Sequence, residues 1–211
     1  MKRYLSGLFR GTLNVARLWH PRRKVVGYMG TFTHDDDLAM VEPALREIWQ
    51  RHPGGVEFQF VGVVGRKETM RALLGLPVRV FRPTPKQAEY PRFMPWFSGH
   101  FRWDIAISPL RDVPFNRCKS DIKFLDYSAI GAAGIYSRVP AYESSVCHLG
   151  TGWLVENDVG AWTQALEALL SDDRLRTQLA YNATHCLYSE RILARCAQYW
   201  PKAIENLLGN T

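Results

Sequence analysis

Residues 108–131 read SPLRDVPFNRCKSDIKFLDYSAIG and set the interpretation of the whole chain. The apolar residues at 103–108 predict a β-strand that Pro109 ends. A polar loop follows, and residues 120–130 predict a helix that Gly131 stops. A strand, a loop and a helix in this order form the repeating unit of a parallel sheet flanked by helices.

The start of this predicted helix carries groups that an anion needs. Lys119 and Ser120 adjoin backbone N–H groups without partners inside the helix, and such groups bind phosphates. Lys123 lies one turn further on, and Asp126 lies two turns from Lys119 on roughly the same face. The cations suit a diphosphate, and the carboxylate suits two vicinal hydroxyls. The same residues also fit a solvated loop in which residues 119–121 only cap the helix.

Outward from this segment, short apolar strands alternate with longer amphipathic helices. The predicted strands are residues 24–29, 56–64, 78–81, 103–108, 134–137 and 153–155. The predicted helices are residues 35–50, 67–74, 120–130, 159–170, 173–186 and 189–208. Pro43 predicts a kink or a later start for the first of these helices, and residues 90–102, rich in Pro and aromatics, predict a loop with a short helical piece. The alternation predicts an α/β fold with a Rossmann-like, mostly parallel sheet, in which ligands bind beyond the carboxyl ends of the strands.

The end of the first predicted strand is a second candidate for ligand contact. Gly30 and Thr31 let the backbone approach a phosphate closely. The next residues, HDDD at 34–37, include Asp-x-Asp, a spacing that some transferases use to hold a divalent metal on a nucleotide diphosphate. Carboxylates at a helix start also cap free N–H groups and face the positive end of the helix dipole. Capping needs no ligand, so we predict no metal site here.

Composition excludes several classes of protein. The chain has 211 residues, of which 46% are hydrophobic and 22% charged, as in an ordinary folded protein of one large or two small domains. No apolar run approaches the roughly 18 residues that span a bilayer. Walker A, HExxH, GxSxG and complete GxGxxG motifs are absent from the sequence. Four cysteines without a CxxC pair predict reduced thiols and a cytoplasmic protein.

The positive charge is concentrated at the N-terminus. Residues 1–24 hold seven of the 27 Lys and Arg residues and none of the 20 Asp and Glu residues, so the remainder is balanced and no nucleic-acid partner is expected. We predict a basic amphipathic leader helix over residues 1–24. Its apolar face is Leu5, Leu8, Phe9, Thr12, Leu13 and Ala16. Such a helix either lies on an anionic membrane surface, which would place the protein at the inner face of the membrane, or packs on the domain.

Residues 108–131 resemble the donor-binding signature of GT-B glycosyltransferases, notably the group 1 family. That signature is a strand, a Pro-containing loop, then Glu-x7-Glu entering a helix that ends in Ala-x-Gly. Asp126 matches the second Glu, which binds the ribose of the nucleotide in the family, and Ala129 and Gly131 match Ala-x-Gly. Further on, GIYS at 134–137 matches the next strand and GWLVEND at 152–158 resembles the Gly-x-Leu-Val segment of the family.

The sequence departs from the family pattern at two places. The first Glu, which contacts the transferred sugar, falls on Cys118. The Arg and Lys that commonly follow the first strand and hold the diphosphate have no counterpart in TFTH at 31–34. Either Lys119, Lys123 or Arg111 has taken over the phosphates, or donor binding is altered or lost.

The resemblance implies a nucleotide-sugar-binding domain over residues 25–211 of a hexosyltransferase that moves a sugar from a nucleotide diphosphate to a hydroxyl acceptor without a metal or another cofactor. It implies a diphosphate site at Lys119, Ser120, Lys123 and the backbone of Gly30 and Thr31, a ribose site at Asp126, and Asn116 or Cys118 near the sugar. It identifies no catalytic residue.

Complete GT-B enzymes also have an N-terminal acceptor domain of similar size, so the chain looks like half of such an enzyme and its partner would be a separate acceptor-binding domain or chain. The rival interpretation is a degenerate, non-catalytic GT-B domain that acts as a membrane-associated scaffold through residues 1–24. A third interpretation is an unrelated Rossmann-like nucleotide-binding protein. Against it, this sequence lacks the glycines that bind a dinucleotide after the first predicted strand.

Overall fold

The computed structural model describes residues 22–62, 73 and 75–209. Its strands are β1 (Lys24–Gly30), β2 (Val56–Gly62), β3 (Val78–Phe81), β4 (Ile105–Ser108), β5 (Ala133–Ser137) and β6 (Trp153–Val155). They form one parallel sheet in the order β3-β2-β1-β4-β5-β6. This is the order of a doubly wound sheet, so the predicted Rossmann-like α/β class is confirmed.

Helices connect these strands and cover both faces of the sheet. They are α1 (Asp35–Arg51), α2 (Pro85–Ala88), α3 (Tyr90–His100), α4 (Pro114–Arg117), α5 (Ile122–Ala129), α6 (Pro140–Glu143), α7 (Val159–Ser171), α8 (Asp173–Cys186), α9 (Leu193–Cys196) and α10 (Tyr199–Leu208). A 3-10 turn, Phe32–His34, precedes α1, and a π-helical turn, Leu187–Arg191, follows α8.

The sheet is buried on both faces, as parallel sheets are. On one face, α1 and α7 pack against strand residues such as Val26 and Ile105, with Trp162 fully buried between them. On the other face, α3 and α5 contribute a largely aromatic core. That core includes Phe97, Phe101, Trp103, Phe124, Tyr127 and Tyr136.

Two glycines adopt positive φ angles at points where the chain changes direction. Gly131 has a φ of +70° just after α5, the left-handed conformation that ends a helix and that glycine adopts at least cost. Gly62 has a φ of +96°, and a Cβ placed there would lie 1.9 Å from the carbonyl oxygen of Gly30. The ends of β1 and β2 therefore approach each other more closely than a side chain would permit.

The sequence predicted three elements with their observed bounds: β3, β6 and α8. The loop prediction for residues 90–102 was wrong, because α3 is an eleven-residue helix that includes Pro95. Phe93 and Phe97 stack at 5.4 Å, and Phe97 is fully buried, so tertiary packing stabilises a helix that the prolines alone disfavour. Pro91 lies in the first turn, where its missing N–H costs nothing.

Two other helix predictions need correction. The first helix begins at Asp35 and continues through Pro43 to Arg51, so the later start was wrong. The single helix predicted over residues 189–208 is divided into the π-helical turn, α9 and α10. Neither α9 nor α10 has a buried residue, so no core contact holds these turns in one continuous helix.

The predicted leader helix over residues 1–24 lies outside the described residues except for 22–24, and Lys24 already belongs to β1. Most of the helix predicted over residues 67–74 also lies outside them. Within the described ranges, no helix combines the length and apolar character needed to cross a membrane.

Candidate functional site

The candidate site lies where the order of the strands reverses, between β1 and β4. From β1 the chain continues to β2 and β3 on one side of the sheet, whereas β4 leads to β5 and β6 on the other. The connections after β1 and β4 therefore diverge and leave a crevice, where doubly wound folds bind ligands. We call it the switch-point crevice. Its two walls are residues 30–37 after β1 and residues 109–126 after β4.

Asp37 joins the two walls. Its Oδ1 accepts a hydrogen bond from the backbone N–H of Arg111 at 2.8 Å and lies 3.4 Å from Asn116 Nδ2. Asn116 Nδ2 also donates to the Arg111 carbonyl at 2.9 Å, and the Arg111 guanidinium donates to Asp36 at 2.8 Å. The capping interpretation of residues 35–37 therefore missed the main role of Asp37, which is to hold the loop after β4.

His34 extends this connection to Lys119. His34 Nδ1 lies 2.8 Å from Asp37 Oδ2, and Lys119 Nζ lies 3.4 Å from His34 Nε2. A carboxylate only accepts, so Nδ1 carries the proton in this contact, and Lys119 Nζ lies beside both ring nitrogens, 3.5 Å from Nδ1 and 3.4 Å from Nε2. The bond to Asp37 favours the protonated ring, but burial and the charges of Lys123 and Lys119 together lower the pKa of His34. The neutral ring thus orients Lys119 across the crevice.

The pKa values of Lys119 and Asp37 both lie below their usual values, but for different reasons. Burial lowers the pKa of Lys119, although the charge of Asp37 opposes the change. Burial alone would raise the pKa of Asp37, but the hydrogen bonds from His34 and from the Arg111 N–H outweigh it, and the pKa lies below its usual value. Lys119 Nζ also lies 5.1 Å from the centre of the Phe115 ring, a cation–π contact.

Lys123 lies on α5 and is 7% exposed. Its Nζ is 5.0 Å from the centre of the Tyr28 ring and has no hydrogen-bond partner among residues 22–62, 73 and 75–209. Burial lowers the pKa of Lys123 to about 8. The Tyr28 hydroxyl is also buried, and in the described part of the chain it too has no partner. A Cβ placed on Gly30 would lie 2.4 Å from that hydroxyl, so it faces the end of β1.

Asp126 lies one turn after Lys123 and is 3% exposed. Its Oδ1 accepts a hydrogen bond from the Tyr90 hydroxyl at 2.8 Å. Burial raises the pKa of Asp126 to about 6, although the Tyr90 bond and the charge of Lys123 act in the opposite direction. The carboxylate predicted to hold a ribose therefore bonds to a side chain of α3.

The other residues predicted to bind the donor differ in burial and in the groups that they contact. Asn116 is buried and directed at Asp37, whereas Cys118 and Ser120 are exposed. The helix begins at Ile122 and not at residue 120, with Asp121 as its N-cap, so Ser120 precedes the first turn. Thr31 is exposed after Gly30, and its hydroxyl bonds to that of Thr33 at 2.8 Å.

The fold thus brings Lys119 to the β1 wall at His34, and Lys123 to the end of β1 at Tyr28 and Gly30. It directs Asn116 to Asp37. Sequence reasoning missed four residues of the crevice: Tyr28, His34, Asp37 as a bridge, and Tyr90. The HDDD run signalled the second and third, but nothing in the sequence signalled Tyr90, because it lies in a segment predicted as loop.

A metal site would need several ligands together. Among the residues that the structure describes, no group of three or more His, Cys, Asp or Glu side chains could hold a metal ion.

Comparison with known proteins places this fold among glycosyltransferases. A glycosyltransferase from Rickettsia africae matches with a TM-score of 0.68 at 14% identity, over 90% of this chain and 49% of that one. HepE from Anabaena, solved with UDP and glucose, matches with a TM-score of 0.66 at 14% identity, over 90% and 50%. The C-terminal domain of LpcC, a group 1 family glycosyl transferase from Francisella tularensis, matches with a TM-score of 0.59 at 17% identity, over 81% and 87%.

These similarities establish the fold. The chain spans about half the length of the Rickettsia and Anabaena proteins and most of the isolated LpcC domain. It therefore has the fold of the C-terminal domain of a GT-B glycosyltransferase, as the resemblance of residues 108–131 implied. No protein-family model and no curated protein sequence matches the chain.

Proposed function

We propose that this chain is the donor-binding domain of a GT-B glycosyltransferase and binds a nucleotide diphosphate sugar for transfer to a hydroxyl acceptor. The observation that carries the proposal is a pair of lysines, Lys119 and Lys123, that meet the end of β1 in the switch-point crevice. The fold supports it, since HepE, which shares this fold, has been solved with UDP and with UDP-glucose.

The diphosphate would lie between the two walls of the crevice. Lys119, Ser120 and the backbone of Gly30 and Thr31 would contact it, because they combine a cation with free hydrogen-bond donors at a strand end. Asp126 would accept hydrogen bonds from the ribose hydroxyls. The Tyr90 hydroxyl occupies one of its oxygens, so ribose would either use the second oxygen or displace Tyr90.

The main chemical task of these residues would be electrostatic. When the bond to the sugar breaks, the departing diphosphate gains negative charge, and preorganised ammonium and N–H groups stabilise it. Lysine cations supply this charge in our proposal, which includes no metal. The acceptor hydroxyl would be bound by a second domain or chain, because this chain spans about half of the larger enzymes that share its fold.

A second candidate function is a degenerate donor domain that serves as a scaffold or partner module, associated with the membrane through residues 1–24. The observation that favours it is Cys118, an exposed thiol at the position where the family has the glutamate that contacts the sugar. The two candidates differ in whether the crevice binds a nucleotide.

Calorimetric titration with UDP, GDP and their sugar conjugates tests the proposal. We expect micromolar binding of one nucleotide, lost in Lys119→Ala and in Asp126→Ala. The matched control is Lys202→Ala, which removes an exposed ammonium from α10, outside the crevice. Absence of binding across the whole set would reject the donor domain and favour the scaffold.

A further inference from the structure

The sequence left open which cation replaces the missing Arg and Lys of the family pattern, and the structure distinguishes the three candidates. The Arg111 guanidinium bonds to Asp36 at 2.8 Å and lies 3.7 Å from Asp37. Lys119 bonds to His34. Lys123 is buried, and its Nζ has no hydrogen bond within the described ranges. Of the three cations, Lys123 is therefore the one whose charged group lacks a hydrogen-bond partner among the described residues.

Burial of an ammonium without hydrogen bonds is costly, and most buried polar groups in proteins are satisfied. The Tyr28 ring compensates for part of the cost through a cation–π contact at 5.0 Å. The Tyr28 hydroxyl is a second buried donor whose partner is missing from the part of the chain that the structure describes. Two polar groups without partners therefore belong to the same contact between the first turn of α5 and the end of β1.

We propose that Lys123 Nζ and the Tyr28 hydroxyl form a buried phosphate subsite that takes one phosphate of the nucleotide diphosphate. This inference rests on the proposed function and deepens it. An oxyanion satisfies both donors at once, whereas a neutral hydroxyl would leave the ammonium without a counter-charge. Lys119, on the same wall of the crevice and four residues earlier in the chain, would then bind the other phosphate.

The titratable groups around Lys123 come from three places. They are Tyr28 on β1, His34 and Asp37 on the β1 wall, and Lys119 and Asp126 on the wall that holds Lys123 itself. Asp37 bonds to His34 and to the Arg111 N–H, and Asp126 bonds to Tyr90. Each carboxylate thus has its own donor, and in the described part of the chain neither of them forms an ion pair with the Lys123 ammonium.

Binding at this subsite should be linked to proton uptake. Burial lowers the pKa of Lys123 to about 8, so at pH 8 about half of the free protein carries a neutral amine. A phosphate beside Nζ favours the ammonium and raises that pKa. Complex formation at pH 8 should therefore take up about half a proton per site.

The test is calorimetry with UDP and GDP, the corresponding nucleosides and pyrophosphate at pH 8, in Tris and in HEPES, whose different ionisation enthalpies reveal proton uptake. We expect Lys123→Met to weaken nucleotide binding at least tenfold, to abolish proton uptake and to leave nucleoside binding unchanged. Tyr28→Phe keeps the ring and should weaken binding several-fold. Lys119→Met should lose affinity and reduce proton uptake without abolishing it, because the charge of Lys119 lowers the pKa of Lys123, and Lys202→Met should change neither.

The outcomes separate the two proposals. If a nucleotide binds and Lys123→Met leaves both its affinity and its proton uptake unchanged, the subsite is overturned and the donor domain stands. If pyrophosphate binds with proton uptake through Lys123 but no nucleotide does, the subsite stands and the donor domain fails. If neither nucleotide nor pyrophosphate binds, both fail.

Discussion

Lys123 and Asp126 lie one turn apart on α5, and both are buried charges in the same crevice, yet their surroundings differ. Asp126 accepts a hydrogen bond from Tyr90 on α3, whereas Lys123 faces the ring of Tyr28 on β1 and has no hydrogen bond in the described part of the chain. The fold itself therefore supplies a hydrogen-bond partner for Asp126. On the other side, the described part of the chain supplies no hydrogen-bond partner for the Lys123 ammonium.

This difference bears on how each buried charge affects the stability of the domain. A buried charge lowers the stability of the free domain, and such unfavourable positions are typical of binding sites. The shifts in pKa have opposite directions, down to about 8 for Lys123 and up to about 6 for Asp126, and both arise mainly from burial. Neutral substitutions at the two positions should therefore change stability with opposite dependence on pH.

Lys123→Met should have the largest effect on stability. Because burial lowers the pKa of Lys123 to about 8, the ammonium is penalised in the folded state at pH 7, and the neutral side chain should add about 3 kcal/mol to the free energy of unfolding. The gain should shrink as the pH rises from 8 to 10, where the wild-type amine is also neutral when folded. Urea unfolding across this range measures it. A loss of stability at pH 7 would mean that Lys123 has an internal partner.

Asp126→Asn should stabilise the domain less and with the opposite trend. The folded-state pKa of Asp126 is raised to about 6, so only a small part of the penalty on its charged form is present at pH 4, and the penalty is nearly complete at pH 7. We expect a gain of about 2 to 3 kcal/mol at pH 7 and of less than about 1 kcal/mol at pH 4, because the amide oxygen still accepts from Tyr90. Equal gains at both values of pH, measured by urea unfolding, would contradict this account.

Tyr90→Phe tests the partner that makes the two sides of α5 different. The Tyr90 hydroxyl lowers the pKa of Asp126, so its removal should raise that pKa further above 6. Loss of one hydrogen bond at a half-exposed tyrosine should cost about 1 kcal/mol of stability at pH 7. Carbon NMR of the Asp126 carboxyl during a pH titration measures the shift. An unchanged pKa would show that the hydroxyl does not bond to the carboxylate in solution.

Arg111→Ala should have the smallest effect. The guanidinium bonds to Asp36, while the backbone N–H that holds Asp37 is unaffected by the substitution. We expect nucleotide affinity to change less than threefold and stability by less than about 1 kcal/mol, as for an exposed ion pair. A tenfold loss of nucleotide affinity by calorimetry would instead assign the diphosphate to Arg111.

The periodic signals of the sequence predicted most of the fold. Short apolar runs predicted β3 and β6 with their observed bounds, and helical spacing did the same for α8, because each pattern depends on near neighbours in the chain. The prediction failed for α3, where Phe93 and Phe97 meet a distant aromatic core that outweighs the local effect of Pro95. It also failed for residues 189–208, where an amphipathic pattern lacks a core to pack against.

For the candidate site, residues 108–131 determined by themselves that a strand, a loop and a helix would present Lys119, Lys123 and Asp126 near a strand end, because these features follow from chain order and helical geometry. Only the tertiary structure decided what each of them meets: His34 at Lys119, Tyr28 at Lys123 and Tyr90 at Asp126. Those partners lie 36 to 95 positions away in the chain and belong to other elements. Burial and hydrogen bonds between residues distant in the sequence depend on which segments the sheet order brings together. No local pattern in the sequence encodes that order.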